Sequence, residues 1–158
     1  MKNTKGIILA GGNATRLYPL NLFISKHLLP IYNKPMIFYS LSVLMLSGIK
    51  EILLITKKDD LINYKKLLGD GSKLGIKIFY EIQQKPKGLA DALIIGKKFL
   101  KNSNCLMILG DNFFYGSQLF PKIKNILGSN KAHIFSYSVV NWSQFGVVEF
   151  NKKNNIKN

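Results

Sequence analysis

A chain of 158 residues, 47% of them hydrophobic, is long enough to bury an ordinary core and fits one domain, expected over residues 1–150 with a frayed polar tail at 151–158. The formal charge of +15 comes from lysines scattered beside asparagine and isoleucine, not clustered among aromatics, which excludes a specific nucleic-acid groove. The longest apolar stretch, Pro35 to Ile49, is broken by Tyr39, Ser40, Ser42 and Ser47 and is too short to cross a bilayer; with no secretory leader before the first strand, a cytoplasmic location is expected.

Short apolar runs alternate with helical patterns, the signature of an α/β domain with a mainly parallel sheet. The first strand is expected over Lys5 to Leu9. A helix from Met36 to Ser47, apolar on most sides and stopped by Gly48, hands over to a strand from Glu51 to Ile55. Asp59 or Asp60 can cap the next helix, whose Leu61, Tyr64, Leu67 and Leu68 share a face before Gly69. A strand over Lys77 to Ile82 leads through Gln83-Gln84-Lys85-Pro86-Lys87-Gly88 to a helix carrying Leu89, Ala92, Leu93, Gly96 and Phe99. Cys105 to Leu109 reads as a fully buried strand, in which the lone cysteine is a small buried thiol. Leu119, Ile123, Ile126 and Leu127 form a helical stripe, with Pro121 tolerable only in its first turn. Two more strands are expected, at His133 to Val139 and Gly146 to Phe150.

Chemistry concentrates at the ends of these strands. Leu9-Ala10-Gly11-Gly12-Asn13-Ala14-Thr15-Arg16-Leu17 follows the first strand and holds the chain's one arginine. Two glycines let backbone N–H groups approach a ligand, and a guanidinium forks well onto phosphate oxygens. The segment is neither a Walker A loop nor a dinucleotide fingerprint, and taken alone a tight turn with a solvated arginine accounts for it equally well. Lys26 precedes an apolar run that can hold its stem while the ammonium reaches inward. Asp111, one of only eight acidic residues, directly follows a strand and Gly110. Ligands of open α/β sheets bind off the carboxyl ends of strands, so Arg16, Gln83 and Asp111 are expected to converge there. A single carboxylate suits Mg²⁺, which completes its shell with phosphates and water; a capping aspartate in a turn is the plainer alternative. His27 and His133 have no partners at ligand or triad spacing, so neither a zinc site nor a nucleophilic triad is supported.

These segments, together with Ser25-Lys26-His27-Leu28-Leu29-Pro30, Lys34-Pro35-Met36, Leu67-Leu68-Gly69-Asp70-Gly71-Ser72, Gly88-Leu89-Ala90-Asp91-Ala92, Leu109-Gly110-Asp111-Asn112-Phe113-Phe114-Tyr115-Gly116 and Phe145-Gly146-Val147-Val148-Glu149-Phe150, resemble the sugar-phosphate nucleotidyltransferases. Within that family the likeness is to the glucose-1-phosphate thymidylyltransferases. The resemblance implies a Rossmann-like, three-layer fold, C-terminally truncated. It implies transfer of a thymidylyl group from dTTP to glucose 1-phosphate with Mg²⁺, by in-line attack of the sugar phosphate on the α-phosphorus. By similarity Leu9, Gly11, Gly12, Thr15 and Arg16 hold the nucleotide, Lys26 meets the reacting phosphates and Gln83 and Gly88 the pyrimidine edge. Asp111 meets the metal, and Asn112 and Gly146 the ribose or sugar end.

The sequence departs from the family's pattern in three places. Ala14 replaces a glycine, adding a methyl group and an unfavourable φ to a loop that must hug phosphate. His27 replaces a glutamine, and Lys87 stands where an acid is common. The family's later half, with its Glu-Lys-Pro segment and second metal carboxylate, is absent from these residues, so nucleotide binding is expected without efficient turnover. Two alternatives stay open: an enzyme using UTP or another sugar phosphate, and a non-catalytic nucleotide-binding remnant. The family's homo-oligomers make self-association a further expectation, with no membrane partner and no specific nucleic acid.

Overall fold

The computed structural model describes residues 3–85, 87–129, 131–144 and 146–151. The chain forms two units, Met1–Gly128 and Ser129–Asn158. In chain order the first contains β1 (Thr4–Ala10), a hairpin of β2 (Pro30–Ile31) and β3 (Lys34–Pro35), α1 (Ile37–Leu46), β4 (Glu51–Thr56) and α2 (Leu61–Leu68). It continues through β5 (Lys77–Ile82), α3 (Leu89–Ile95), α4 (Lys97–Leu100), β6 (Asn104–Leu109) and α5 (Leu119–Ile126). The main sheet has the order β5-β4-β1-β6, and every neighbouring pair is parallel.

Side-chain alternation sorts the strands onto two faces. Ile8, Ala10, Ile52, Leu54, Ile78 and Ile108 meet Ile37, Leu41 and Leu44 of α1, Tyr64 and Leu68 of α2, and Ile123 of α5. Ile7, Leu53 and Ile55, one residue out of phase, meet Ala92 of α3 and the flanking Ile95, Phe99 and Leu100. Three layers result, as the family resemblance implies. The order also defines a switch point: the chain steps from β1 through β4 to β5, then returns to the far side of β1 as β6. In such sheets the crevice at the carboxyl ends of the two strands flanking the switch, here β1 and β6, receives the ligand.

Helix α1 ends as Gly48 foretells. With Ser47 as C-cap, the Gly48 N–H donates to the Met45 carbonyl and the Ile49 N–H to the Leu44 carbonyl, a Schellman motif made affordable by a φ of 85° at Gly48. Four expectations need correction. Asp60 occupies the N-cap of α2, but its side chain makes no capping bond; it is buried and its carboxylate pairs with Lys57 at 3.6 Å instead. The single helix expected after Gly88 is two, α3 and α4, meeting at Gly96, whose backbone lies so close to Ile7 and Leu53 that the chain packs through Ala92 and Gly96 while Leu89 and Leu93 stay exposed. Strand β6 is only partly buried and Cys105 is exposed; among the described residues β6 pairs with β1 alone.

In the second unit the strands expected at His133 to Val139 and Gly146 to Phe150 are not formed among the described residues; one bridge residue, Phe150, and a 3₁₀ turn at Trp142–Gln144 are. The apolar residues Ile134, Tyr137, Val140 and Val147 are exposed. Alternation marks a segment able to pair; it does not supply the partner. Phe145 and most of the expected tail, 152–158, lie outside the described residues.

Candidate functional site

The loop after β1 places its two glycines differently. Gly11 is buried, and a Cβ there would stand 2.8 Å from Gln83 Oε1; Gly12 is exposed, and a Cβ there would meet nothing within 4 Å. The first glycine therefore serves packing, while the second bares its backbone to whatever enters from solvent. Ala14 follows in the left-handed region (φ 49°, ψ 39°) and turns the chain into a 3₁₀ turn at Thr15–Leu17. Asn21 Nδ2 donates to the Asn13 carbonyl at 3.2 Å and ties the loop down. Thr15 and Arg16 are exposed, and Arg16 forms no ion pair among the described residues.

Lys26 opens a 3₁₀ turn, Lys26–Leu28, and its ammonium forms an ion pair with Oδ2 of Asp111 at the end of β6, the two side chains being 28% and 32% exposed. Burial works to raise the Asp111 carboxyl, but the Lys26 hydrogen bond and charge, with help from His27, hold it below its usual value. Beneath the pair lies His27, 3% exposed. A Cβ at Gly110 would stand 2.8 Å from its Cδ2, so the turn that carries Asp111 rests directly on this ring. Ser25 Oγ bridges His27 Nδ1 at 3.2 Å and the Tyr64 hydroxyl of α2 at 3.0 Å, making a buried polar chain. Burial lowers the imidazole to about 4 against an upward pull from Asp111, and Lys26 and Lys57 lower it further, so the ring is neutral at ordinary pH. From α1 the buried Ser40 hydroxyl donates to the carbonyls of Leu109 and Asn112 at 3.0 and 3.4 Å, fixing the end of β6.

Gln83, 4% exposed, leaves the end of β5 with its N–H bonded to the Thr56 carbonyl at 2.9 Å. Its Nε2 donates to Asp91 Oδ2 of α3 at 2.8 Å, and Oε1 faces Gly11. Gly88, with φ 88°, is the N-cap of α3. Leu9 contributes through the backbone, its carbonyl accepting the Gly110 N–H at 2.9 Å, while its side chain joins the core of the α3 face.

The structure thus joins Lys26 to Asp111 and Gln83 to Gly11 at the carboxyl edge of the sheet, with Arg16 on the same loop in solvent. Asn112 is exposed beside Asp111; Gly146 belongs to the second unit and is exposed. Among the described residues no three His, Cys, Asp or Glu side chains gather to cage a metal. One partly exposed carboxylate at a strand end is what Mg²⁺ takes from a protein when phosphates and water complete its shell, so Asp111 fits that ion. Spacing in the sequence assigns His27, Ser25, Ser40, Tyr64 and Asp91 no part in the site. For Asp91 a signal existed: the scarcity of acids that singled out Asp111 applies to it equally.

Comparison with known proteins gives the family. The family model described as Nucleotidyl transferase matches residues 5–158. The chain is 54% identical over 149 residues to the glucose-1-phosphate thymidylyltransferase of Neisseria meningitidis, covering 94% of this chain and 52% of that protein. To the enzyme of that name from Mycobacterium tuberculosis it is 49% identical over 146 residues, covering 92% and 51%. A Bacillus anthracis crystal structure named for the same enzyme, in complex with a sucrose, superposes with a TM-score of 0.75 at 36% identity over 80% of this chain and 51% of that one. The UDP-glucose pyrophosphorylase of Acinetobacter baumanii, at TM-score 0.62 and 20% identity over 73% and 48% of the two chains, shares the fold. The chain spans about half the length of the curated relatives it matches. No helix among the described residues is long and apolar enough to cross a membrane. Since the family model runs from β1 onward, over residues 5–158, this chain belongs to the nucleotidyl transferase family.

Proposed function

We propose that the chain binds dTTP with Mg²⁺ and supplies the nucleotide side of thymidylyl transfer to glucose 1-phosphate, yielding dTDP-glucose and pyrophosphate. The observation that carries this reading is the Lys26–Asp111 ion pair set beside the open Gly12 backbone, between the ends of β1 and β6. In the transfer, an oxygen of the sugar phosphate attacks the α-phosphorus in line as the bond to the departing pyrophosphate breaks. Such chemistry asks the protein for positioning and charge neutralisation more than for covalent help. Backbone donors of Gly11, Gly12 and Thr15 with the Arg16 guanidinium cradle the triphosphate, and Lys26 neutralises charge at the reacting phosphates. Gln83 and Gly88 hold the base, and Asn112 and Gly146 the ribose or sugar. Asp111, with phosphate oxygens, would hold Mg²⁺, which would supply further neutralisation of charge on the phosphates. A cytoplasmic location and self-association accompany this reading.

Titration calorimetry tests it: dTTP binds in the presence of Mg²⁺, and Arg16→Ala weakens binding by about tenfold or more, since a charge-assisted fork is lost. No heat of binding at about millimolar dTTP, roughly 4 kcal/mol of affinity, would overturn the proposal. For residues 1–158 alone the proposed activity is binding without efficient turnover, because the relatives that carry the activity's name are about twice as long. Pyrophosphate release from dTTP and glucose 1-phosphate at an ordinary enzymatic rate would refute that part. UTP is the competing substrate, as uracil and thymine present the same imide edge to Gln83; competition between the two triphosphates separates them.

A further inference from the structure

Gln83 is a nearly buried amide with a fixed direction. Either end of such an amide can face a given neighbour until the neighbour's chemistry decides. Here it does: Asp91 Oδ2 lies 2.8 Å from one end of the amide, and a carboxylate accepts hydrogen bonds without donating any, so the NH₂ must face Asp91. The carbonyl end is thereby turned to the Gly11 loop, where Oε1 lies 2.8 Å from the point a Cβ on Gly11 would fill. Because Gly11 has no Cβ, its backbone lies against that oxygen with no side chain of its own to cover it. Asp91 itself is only partly buried and sits in the first turn of α3, three residues after Gly88.

We propose that Asp91 determines base specificity by holding the Gln83 amide with its oxygen toward the glycine loop, so that the site takes a pyrimidine carrying an N3–H and refuses one whose N3 is an acceptor. Thymine and uracil bring a donor to that oxygen. Cytosine brings a lone pair, which faces another lone pair with no compensating bond, in a place where unmade hydrogen bonds are costly. Asp91 touches neither base nor phosphate in this scheme; it is a positioning residue acting through Gln83. The inference rests on the nucleotide-binding reading above and adds to it the reason for choosing one base edge.

The test compares dTTP with dCTP on the full 158-residue chain with Mg²⁺ by calorimetry. Asparagine at position 91 can donate as well as accept, which releases the amide to turn over. Asp91→Asn is expected to shrink the preference for dTTP over dCTP by about tenfold or more, and Asp91→Glu, which keeps a pure acceptor, to retain most of it. If Asp91→Asn weakens both nucleotides in equal proportion, or leaves the preference intact, the proposal is overturned and the side chain is merely structural. A measurement on the unmodified chain needs no variant to fold: dTTP methylated at N3 has lost the donor and is expected to bind about tenfold or more weaker, and equal binding overturns the proposal. Failure of the unmodified chain to bind dTTP at all would fell the nucleotide reading and this inference together, whereas binding without these discriminations fells this inference alone.

Discussion

His27→Gln should convert an acid-labile protein into one whose stability is flatter with pH. The folded chain holds the imidazole at about 4, whereas the same group in an unfolded chain titrates near 6.5. A lowered folded value means that the unfolded chain binds the proton more readily. Stability is therefore complete above about pH 6.5 and falls as the pH drops toward about 4. The gap between the two values corresponds to about 3 kcal/mol in full, of which about 2 kcal/mol is lost by about pH 5. That is a large share of the roughly 5–15 kcal/mol by which a domain is ordinarily stable. The structural reason is the lid on the ring: burial leaves no water to solvate a cation, Lys26 and Lys57 oppose it, and Asp111 offsets this only in part. Asp111 does not confuse the measurement, since its carboxyl is held below the usual 3.8 and the stability it contributes is lost lower still, as pH falls through that depressed value. Urea unfolding at about pH 7 and about pH 5 gives the readout. With a denaturant slope of about 1–3 kcal/mol/M, the unmodified midpoint drops by roughly 1 M between the two, and that of His27→Gln by much less. Any general cost of the substitution cancels in this difference. Equal losses in the two proteins would refute the assignment of the acid response to His27.

Two further substitutions test backbone and packing. Ala14→Gly removes a side chain from a residue held at φ 49° and should stabilise the chain by about 1 kcal/mol, raising a thermal midpoint by roughly 2–4 °C; a lower midpoint counts against strain in the loop. Gly96→Ala places a Cβ 2.8 Å from Ile7 Cδ1, 3.1 Å from the Ala92 carbonyl oxygen and 3.4 Å from Leu53 Cδ2, and should cost about 1–3 kcal/mol in urea unfolding, while an unchanged midpoint would show that α3 and α4 can lift from the sheet freely.

What was legible beforehand divides by the range of the cause. Strands β1, β4 and β5, helices α1 and α5 and the arrival of Asp111 at a strand end all follow from local patterns: apolar runs, the Gly48 stop and Pro121 in a first turn. The left-handed strain at Ala14 follows instead from the family resemblance, since a residue standing where the family has a glycine inherits that glycine's backbone angle. The break between α3 and α4 was hidden because it arises where Gly96 meets Ile7 and Leu53, far away in the chain. The partial burial of β6 and, among the described residues, the unformed strands of the second unit were hidden for a related reason: alternation states which residues could be buried and is silent on what buries them.

The same distinction reorders the site. Lys26 and Asp111 are 85 residues apart in sequence, and Ser40 and Leu109 are 69 apart, so neither bond could be read from spacing. Yet the first of these long-range bonds separates the states of the two cations at the site. Lys26 is engaged by Asp111, and its ammonium and that carboxylate largely neutralise each other; any phosphate it meets must share it. Arg16, exposed and without an ion pair among the described residues, has all its donors to offer. Gly12 beside it presents backbone to open space, whereas Gly11 is spent on Gln83. An incoming anion thus meets Arg16 and Gly12 at no cost in broken contacts and reaches Lys26 only by loosening an existing pair, which is why loss of Arg16 is the sharper test of binding and why a defect at Lys26 would combine a lost phosphate contact with a carboxylate left unneutralised.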